Sequence, residues 1–250
     1  MTNASQRFAT AAAVLCALLC AALILCVWWT GAVPQIVFGH DLMVLLEGGW
    51  KWKWGFMPHI DYYSPFGALT FLLVALGIDL SGSMVHALPT ATCIVGTVAL
   101  PLALYAAFTR LHPIVAFAAV VVLIAAAVAP HELRLPSEVW SYAAVYNRWA
   151  YALFGVATII IAVPPAISWK WSEWVDGLIA GACVALLIFL KISYGLLAVG
   201  VVIGFAPFQR RNLGYWLGAL LAGTVVVLLF GAVLRWGYPL LLKDMQIASR

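Results

Sequence analysis

Polar side chains that could do chemistry are concentrated in one loop near the N-terminus, from His40 to Gly67. This loop holds three of the nine carboxylates of the chain. Asp41 directly follows His40 at the membrane-exit side of the loop, where a carboxylate meets both water and lipid headgroups. Carboxylates and imidazoles are the side chains that most often serve as general acids and bases. The other ionisable or phenolic residues of the loop are Glu47, Lys51, Lys53, His59, Asp61, Tyr62 and Tyr63.

The same loop has an alternative interpretation as a solvated segment with an aromatic belt. Trp50, Trp52 and Trp54 alternate with Lys51 and Lys53. This alternation is typical of segments that lie at the headgroup interface of a membrane. Both interpretations stay open for these five residues.

Two further polar features interrupt the apolar sequence. One runs from His131, Glu132 and Arg134 through Glu138 to Tyr146-Asn147-Arg148, and it is either a site or a connecting loop with a charged face. The other is Lys191, which stands within an apolar run and is followed by Ser193 and Tyr194. A lysine at membrane depth is costly, so it predicts a functional site with a partner. Alternatively, Lys191 ends a helix and extends its ammonium group to the surface.

The composition requires a membrane environment for most of the chain. Of the 250 residues, 66% are hydrophobic and only 9% are charged, and the mean hydropathy is +1.06. Soluble domains carry roughly 25% charged residues. The net charge of +4 is spread over many short loops and predicts no nucleic-acid partner. The motifs of nucleotide-binding folds, serine hydrolases and zinc proteases do not occur, and the five cysteines follow no metal-binding spacing.

The apolar runs predict an all-α, polytopic transmembrane helix bundle that forms a single domain over residues 1–250. A span needs about 20 residues, so the run from Pro65 is short. The run from Gly177 is too long for one span and gives one tilted helix or two helices joined near Lys191. We therefore expect about 7–8 spans and a long first outer loop at 31–64 that carries short surface helices, one of them from Asp41 to Leu46. The runs are Phe8–Thr30, Pro65–Leu80, His86–Phe108, Pro113–Ala129, Trp149–Ile167, Gly177–Pro207 and Leu213–Leu234.

Glycine placement adds two expectations. Gly48-Gly49, Gly55 and Pro58 should break any single long helix in the first loop. Pairs of glycines four residues apart permit close helix packing, but in a chain with 20 glycines they do not select an interface. These pairs are Gly177/Gly181, Gly200/Gly204 and Gly214/Gly218.

Orientation follows from the bias of Lys and Arg toward the cytoplasm. Arg7 precedes the first run, which ends in Trp28 and Trp29 and lacks a cleavage site, so we read it as an uncleaved span with a cytoplasmic N-terminus. Arg210 and Arg211 should also be cytoplasmic. Alternation through seven spans puts both the N-terminus and Arg210–Arg211 in the cytoplasm. Splitting the Gly177 run would put Arg210 and Arg211 outside, unless the Pro65 run fails to cross the membrane.

The layout resembles the GT-C type of membrane glycosyltransferases, which includes dolichyl-phosphate-mannose mannosyltransferases and bacterial aminoarabinose transferases. An acidic residue, Asp41, follows the first span. A Gly-x-x-Pro-His-x-Asp segment then runs from Gly55 to Asp61, and an aromatic-Ser-Pro-Phe-Gly segment follows. Gly181 to Lys191, GACVALLIFLK, is similar to a later glycine-to-lysine segment of that family. The specific part of the resemblance is the loop from Asp41 to Gly67.

The resemblance implies transfer of a sugar from a polyprenyl-phosphate donor on the outer face of a bacterial cytoplasmic membrane. It makes Asp41 the catalytic base and Asp61 a second acid that orients the site or binds a metal or the acceptor. A divalent cation is the one cofactor that it leaves open, and it leaves the acceptor unspecified. The residues expected to bind substrate are His40, Lys51, Lys53, His59, Arg148 and Lys191.

Family members usually have more spans and an outer domain, so we expect a fragment, a degenerate member or one half of a complex with a partner subunit. The main rival function is a transporter or flippase for a lipid-linked or anionic solute, with Lys191 as a mid-membrane substrate site. A non-catalytic membrane subunit is the third possibility. Indispensable charges between Asp41 and Asp61 would favour the transferase, and indispensable charges around Lys191 the transporter.

Overall fold

The computed structural model describes residues 3–31, 39–130, 141–142, 144–167, 169–209 and 211–248. Within these residues the chain is helical and contains no strand, which confirms the all-α prediction. The helices are α1 (Asn3–Thr30), α2 (Gly39–Lys53), α3 (Ala68–Ser81), α4 (Ala87–Phe108), α5 (Pro113–Val128), α6 (Val145–Ala162), α7 (Ser172–Leu190), α8 (Ile192–Phe205), α9 (Leu213–Val233) and α10 (Tyr238–Ala248).

Among the described residues, five helices are long and apolar enough to cross a membrane: α1, α4, α6, α7 and α9. Their length and apolarity make the chain an integral membrane protein with a helical bundle. Three shorter apolar helices, α3, α5 and α8, accompany them. The total number of spans stays a prediction.

Contacts between helix termini define two ends of the bundle. At one end the Tyr142 hydroxyl donates to the carbonyl of Gly31, where α1 stops, at 3.3 Å. His86, just before α4, packs against the same Gly31. We call this the loop end. The opposite end, the base, is marked by a buried ion pair between Arg110, after α4, and Asp176, in the second turn of α7.

Lengthwise helices alternate in direction between these ends. α1 ends and α4 begins at the loop end, while the turn after α4 meets the end of α6 at the base, where the Ala166 amide donates to the Thr109 carbonyl at 2.9 Å. α5 returns to the loop end, because the carbonyl of Ala129 accepts from Arg148 in the first turn of α6. The bundle therefore places the described polar residues between α1 and α4 at the loop end.

α3 lies across the loop end and does not run lengthwise. Near its start, the Thr70 hydroxyl donates to the Leu190 carbonyl at the end of α7, at 3.1 Å. Near its other end, Gly77 is so close to Ala87, the first residue of α4, that a Cβ on it would lie 2.1 Å from the Ala87 carbonyl oxygen. Both ends of α3 are thus at the same end of the bundle. The Pro65–Leu80 run is an apolar helix as predicted, but it is not a lengthwise one.

The Gly177 run is two helices, one of the alternatives that its length predicts. α7 stops at Leu190, and α8 leads back to the base, where Gln209 donates to the Ala162 carbonyl at 2.6 Å. The split adds one lengthwise helix, α8, and the transverse α3 removes one. The number of lengthwise helices before Arg211 is therefore the same as in the alternation of seven spans. Arg211 consequently lies at the base, the end at which α1 begins, while Arg210 falls outside the described residues.

α2 corrects the prediction of a short helix from Asp41 to Leu46. It continues through Gly48-Gly49 to Lys53, because these glycines are contact points with α3. A Cβ on Gly48 would lie 2.1 Å from the Phe71 ring, and one on Gly49 would lie 2.5 Å from the Val74 side chain. The break comes at Gly55, whose φ of 84° is left-handed.

Two of the glycine pairs of the sequence bring α7 and α9 together. A Cβ on Gly177 or on Gly181 would lie 2.1 Å from a backbone carbonyl oxygen of α9. Gly218 of α9 packs in return against the backbone of α7 at Trp174. The contact is a small-residue helix crossing of the kind common in membranes. Gly200 and Gly204 of α8 face open space.

Candidate functional site

Lys191 is the single residue between α7 and α8, and it caps both. Its backbone is extended, with φ −157° and ψ 111°. Its amide donates to the Leu187 carbonyl of α7 at 2.8 Å, and its carbonyl accepts from the Tyr194 amide of α8 at 3.0 Å. The predicted helix end at Lys191 is therefore correct.

The ammonium group of Lys191 lies in a polar and aromatic corner at the loop end. Its Nζ donates to Asn147 Oδ1 at 2.6 Å. It also lies 5.0 Å from the ring centre of Tyr146 and 5.6 Å from that of Tyr194. Phe66, just before α3, contacts the Tyr146 ring with a centroid distance of 4.7 Å. Two polar features that are remote in the sequence, at 146–148 and at 191, thus form one cluster.

No carboxylate in the described part of the chain pairs with Lys191. Its described contacts, an amide oxygen and two aromatic rings, are neutral. A half-buried cation with only neutral neighbours has a favourable interaction to gain from an anion. This corner is therefore a candidate site for an anionic group.

Arg148 is adjacent in sequence to Asn147 but serves the fold. It is buried, and its guanidinium donates to the carbonyl of Ala129 at 2.6 Å and to that of Ser141 at 3.0 Å. These bonds satisfy backbone oxygens at the end of α5 and before α6, which would otherwise be left without donors. Its predicted role in substrate binding has no support from these contacts.

Asp41 lies in the first turn of α2, at the loop end. Spacings of four and seven residues put it on the face of α2 that carries Leu45 and Gly48 toward α3. Its side chain is half-buried and makes no hydrogen bond or ion pair with another described residue. His40 is exposed beside it. A partly buried carboxylate without a partner is available for a ligand.

Lys51 and Lys53, which are predicted to bind substrate, each form an ion pair with a carboxylate. Lys51 forms an ion pair with Glu47 at 2.7 Å, one turn away on α2, and Lys53 with Asp79 of α3 at 2.6 Å. Both pairs are substantially exposed, and such pairs contribute little to stability. Lys51 also lies 4.8 Å from the ring centre of Tyr62, whose hydroxyl donates to the Gly48 carbonyl at 3.4 Å. Burial raises the pKa of Tyr62, so the hydroxyl keeps its proton.

The turn at residues 57–62 holds one acid, Asp61, and one base, His59, which have different environments. Asp61 is exposed, and its Oδ2 accepts from the Met57 amide at 2.7 Å, closing the turn. His59 is buried, with a left-handed φ of 68°. Its Nδ1 lies 3.0 Å from Oδ2 of Asp244 in α10. Burial lowers the pKa of His59 more than its contacts with Asp244 and with the Phe66 backbone raise it, which favours the neutral imidazole. In the neutral form, a proton on Nδ1 allows donation to Asp244.

Asp244 was not predicted, although it joins the loop to α10. Its Oδ2 also accepts from the Ser64 amide at 3.1 Å. The sequence signal was weak because 185 residues separate His59 from Asp244. One cue did exist: in a chain with nine carboxylates, Asp244 is an acid that closely follows the apolar residues Leu240–Leu242.

A second polar cluster, also not predicted, lies at the base. The Asp176 carboxylate is buried between Arg110 and Arg211, with the Arg211 guanidinium at 3.3 Å. It also accepts from the Tyr105 hydroxyl at 2.7 Å. These residues tie together the turns that follow α4 and α8 and the start of α7. Because the cluster is at the opposite end from Asp41 and Lys191, it does not belong to the candidate site.

An apolar groove of about 430 Å³ runs between α7, α8 and α9. Its lining extends from Ala180 to Ile188 on α7, and it includes Val199 of α8 and Gly223 and Val227 of α9. Ile188 is one turn before Lys191. The groove therefore leads along α7 toward the polar corner.

The described residues contain no group of three or more metal-binding side chains. A role for Asp61 in metal binding stays a prediction, and residues 131–140, which hold His131, Glu132 and Glu138, lie outside the described part. Comparison with protein families, curated proteins and solved structures finds no match to the chain.

Proposed function

We propose that the protein is a membrane glycosyltransferase that moves a sugar from a polyprenyl-phosphate donor to an acceptor at the loop end. The observation that carries the proposal is Lys191, a half-buried cation at the loop end with neutral described neighbours. A phosphate is a suitable partner for such a group, since charge-assisted hydrogen bonds to phosphate are strong.

The apolar groove supports a lipid-linked donor. A polyprenyl chain is an extended hydrocarbon, and the groove between α7, α8 and α9 is lined almost entirely by apolar side chains. A phosphate at Lys191 would put the start of the chain near Ile188, where the groove ends. One amphiphilic molecule would thus meet the charge of Lys191 and fill the groove.

Asp41 supplies the base in this scheme. Its carboxylate takes the proton of the acceptor hydroxyl while that oxygen bonds to C1 of the sugar. The bond between C1 and the phosphate oxygen breaks, and its electron pair stays on the phosphate. Lys191 stabilises the charge that develops there. The scheme needs the loop end to face the outside of the cell, on the outer face of a bacterial cytoplasmic membrane.

The test is sugar transfer from a polyprenyl-phosphate donor by the purified protein in detergent, with Asp41→Asn compared with the wild type. Loss of a general base typically lowers the rate by about 10²–10⁴-fold. Glu47→Gln is the matched control, because Glu47 is an exposed carboxylate of the same helix that is paired with Lys51. We expect Glu47→Gln to keep wild-type transfer.

Wild-type transfer by Asp41→Asn would remove Asp41 from the site. Binding of the donor without any transfer by the wild type would favour the alternative function, a transporter or flippase for a lipid-linked or anionic solute. The helix break at Lys191 supports that alternative. However, Lys191 contacts Asn147 in the first turn of α6, near the loop end, and this position gives less support to a mid-membrane substrate site. Absence of donor binding would leave a non-catalytic subunit that requires a partner.

A further inference from the structure

α10 rests on the bundle through a narrow stripe of residues. Leu241 and Asp244 are buried and Tyr238 is half-buried, at spacings of three residues along one face. Leu240 and Leu242, by contrast, are exposed. Gly237, just before the helix, packs against Ile60 of the first loop. Leu241 is the one buried aliphatic side chain among those of α10 that the structure describes, and an element with few buried apolar contacts opens at a lower free-energy cost than the whole bundle unfolds.

One buried carboxylate forms the polar attachment of α10 to the first loop. Asp244 Oδ2 accepts hydrogen bonds from His59 Nδ1, at 3.0 Å, and from the Ser64 amide, at 3.1 Å. The His59 side chain is fully buried, and its Nε2 has no hydrogen-bond partner among the described residues. Bonds to a buried, charged acceptor are stronger than neutral ones. Asp244 is therefore a polar contact that holds the loop and the helix together.

The backbone is left-handed on both sides of this contact. His59 has a φ of 68°, and at the junction of α9 and α10 two consecutive residues, Arg235 and Trp236, have φ of 47° and 60°. Side chains with a Cβ rarely adopt this region, and they remain there only when their surroundings hold them. The Trp236 ring packs on Gly231, and the backbone amide of Trp236 donates to the Gly231 carbonyl at 2.7 Å. The junction is a sharp, strained turn between two helices.

We infer that α10 is a strap that closes over residues 57–64 of the first loop and opens as a unit, pivoting at Arg235–Gly237, with Asp244 as its latch. The covered loop continues through Phe66 to the Tyr146 ring beside Lys191. Opening would therefore free the loop that borders the polar corner. The inference does not depend on sugar transfer, because it rests on the attachment of α10 alone.

The experiment measures the reaction of a thiol beneath the strap. Ser64 is buried under α10, and Ser64→Cys preserves its size and its backbone bond to Asp244. The full-length protein carries this reporter and keeps native Cys183, which is buried in α7, as an internal reporter of global unfolding. The other native cysteines, Cys16, Cys20, Cys26 and Cys93, are changed to alanine.

We expect slow modification of Ser64→Cys by a maleimide, and modification about tenfold faster or more when Asp244→Asn weakens the latch. His59→Asn keeps an N–H near the Nδ1 position and should give an intermediate rate. Lys243→Gln, an exposed change at the next residue of α10, should leave the rate unchanged. Cys183 should stay unreactive throughout.

Three results would contradict the inference that α10 is a strap held by Asp244. Equal rates with and without Asp244→Asn would mean that the carboxylate is not a latch. Fast modification of Ser64→Cys in the presence of Asp244 would mean that α10 does not close. Modification of Cys183 together with Ser64→Cys would mean that the bundle unfolds globally, with no separate motion of α10.

Discussion

Lys191 and Arg148 are both cations at the loop end, but their contacts differ in kind. Arg148 uses its guanidinium to bind backbone carbonyls at 2.6 and 3.0 Å. Lys191 has an amide oxygen and aromatic rings around it. A guanidinium can satisfy several carbonyls in fixed directions, whereas an ammonium is a compact charge that can reorient toward a ligand. The contacts of the two side chains therefore separate a structural cation from a candidate ligand-binding one here.

Lys191→Met tests this distinction, because Met keeps the stem of the side chain and removes its charge. If Lys191 stabilises a phosphate, we expect sugar transfer to fall by about 10²–10³-fold, the usual cost of removing one such donor. Insertion into the membrane should be normal. Lys243→Met, an exposed change in α10, is the matched control and should have no effect. Normal turnover by Lys191→Met would exclude Lys191 from the site.

At the residue scale, the sequence was informative where a charge interrupts an apolar run. Lys191 and the Tyr146–Arg148 group were both identified, since polar residues are scarce in this chain. The sequence could not pair them, because no periodicity relates the start of α6 to the end of α7. It also could not find the bond between His59 and Asp244, which depends on the turn that reverses the chain after α9.

Helix α7 shows how glycine spacing acts at the scale of elements. Gly177 and Gly181 let the backbones of α7 and α9 approach until a Cβ would overlap a carbonyl oxygen. In lipid, apolar side chains gain little by leaving their surroundings, so close backbone packing drives helix association. The same spacing at Gly200 and Gly204 faces open space and has no such role.

Matched alanine substitutions should separate these two glycine pairs. Gly181→Ala puts a Cβ 2.1 Å from the Ala219 carbonyl oxygen, and we expect it to destabilise the bundle by about 1–3 kcal/mol through overpacking. Gly200→Ala meets nothing within 4 Å and should stabilise α8 by about 0.5–1 kcal/mol through lower backbone entropy in the unfolded chain. Thermal unfolding in detergent measures both, and a destabilised Gly200→Ala or an unchanged Gly181→Ala would contradict this account.

Element type was more predictable than element direction. Apolarity predicted a helix near Pro65, and α3 is that helix. Its transverse position depends on two contacts, Thr70 with Leu190 and Gly77 with Ala87, which a hydropathy pattern does not contain. The split at Lys191 was one of two alternatives, and the extended backbone of Lys191 selects it.

Across the whole molecule, the base and the loop end differ in how their buried and half-buried charges are paired. At the base, Asp176 and Glu173 balance the charges of Arg110 and Arg211, and the cluster fixes three chain segments together. At the loop end, Asp41 and Lys191 have no oppositely charged partner among the described residues. A half-buried carboxylate and a half-buried ammonium group without described ion-pair partners at the loop end are what we expect if ligands approach from that end.

The orientation of the molecule can be tested by cysteine labelling in intact cells. In a background without native cysteines, Glu47→Cys reports on the loop end, and Trp171→Cys, at an exposed position before α7, reports on the base. We expect an impermeant thiol reagent to label Glu47→Cys from outside, because Arg7 should hold the start of α1 in the cytoplasm. Trp171→Cys should require permeabilisation. The reverse pattern would invert the orientation.

Helix α8 has a consequence for the surrounding lipid. Its 14 residues rise about 21 Å, whereas the hydrocarbon layer of a bilayer is about 30 Å thick. α8 lies on the outside of the bundle, with Leu196, Leu197 and Ile203 exposed. If α8 crosses the bilayer, we expect the lipids beside it to compress or splay their chains to match its length, a hydrophobic mismatch that thins the membrane locally. Thinning along the flank where the groove between α7, α8 and α9 opens would shorten the path of a long-chain lipid from the bilayer to Lys191.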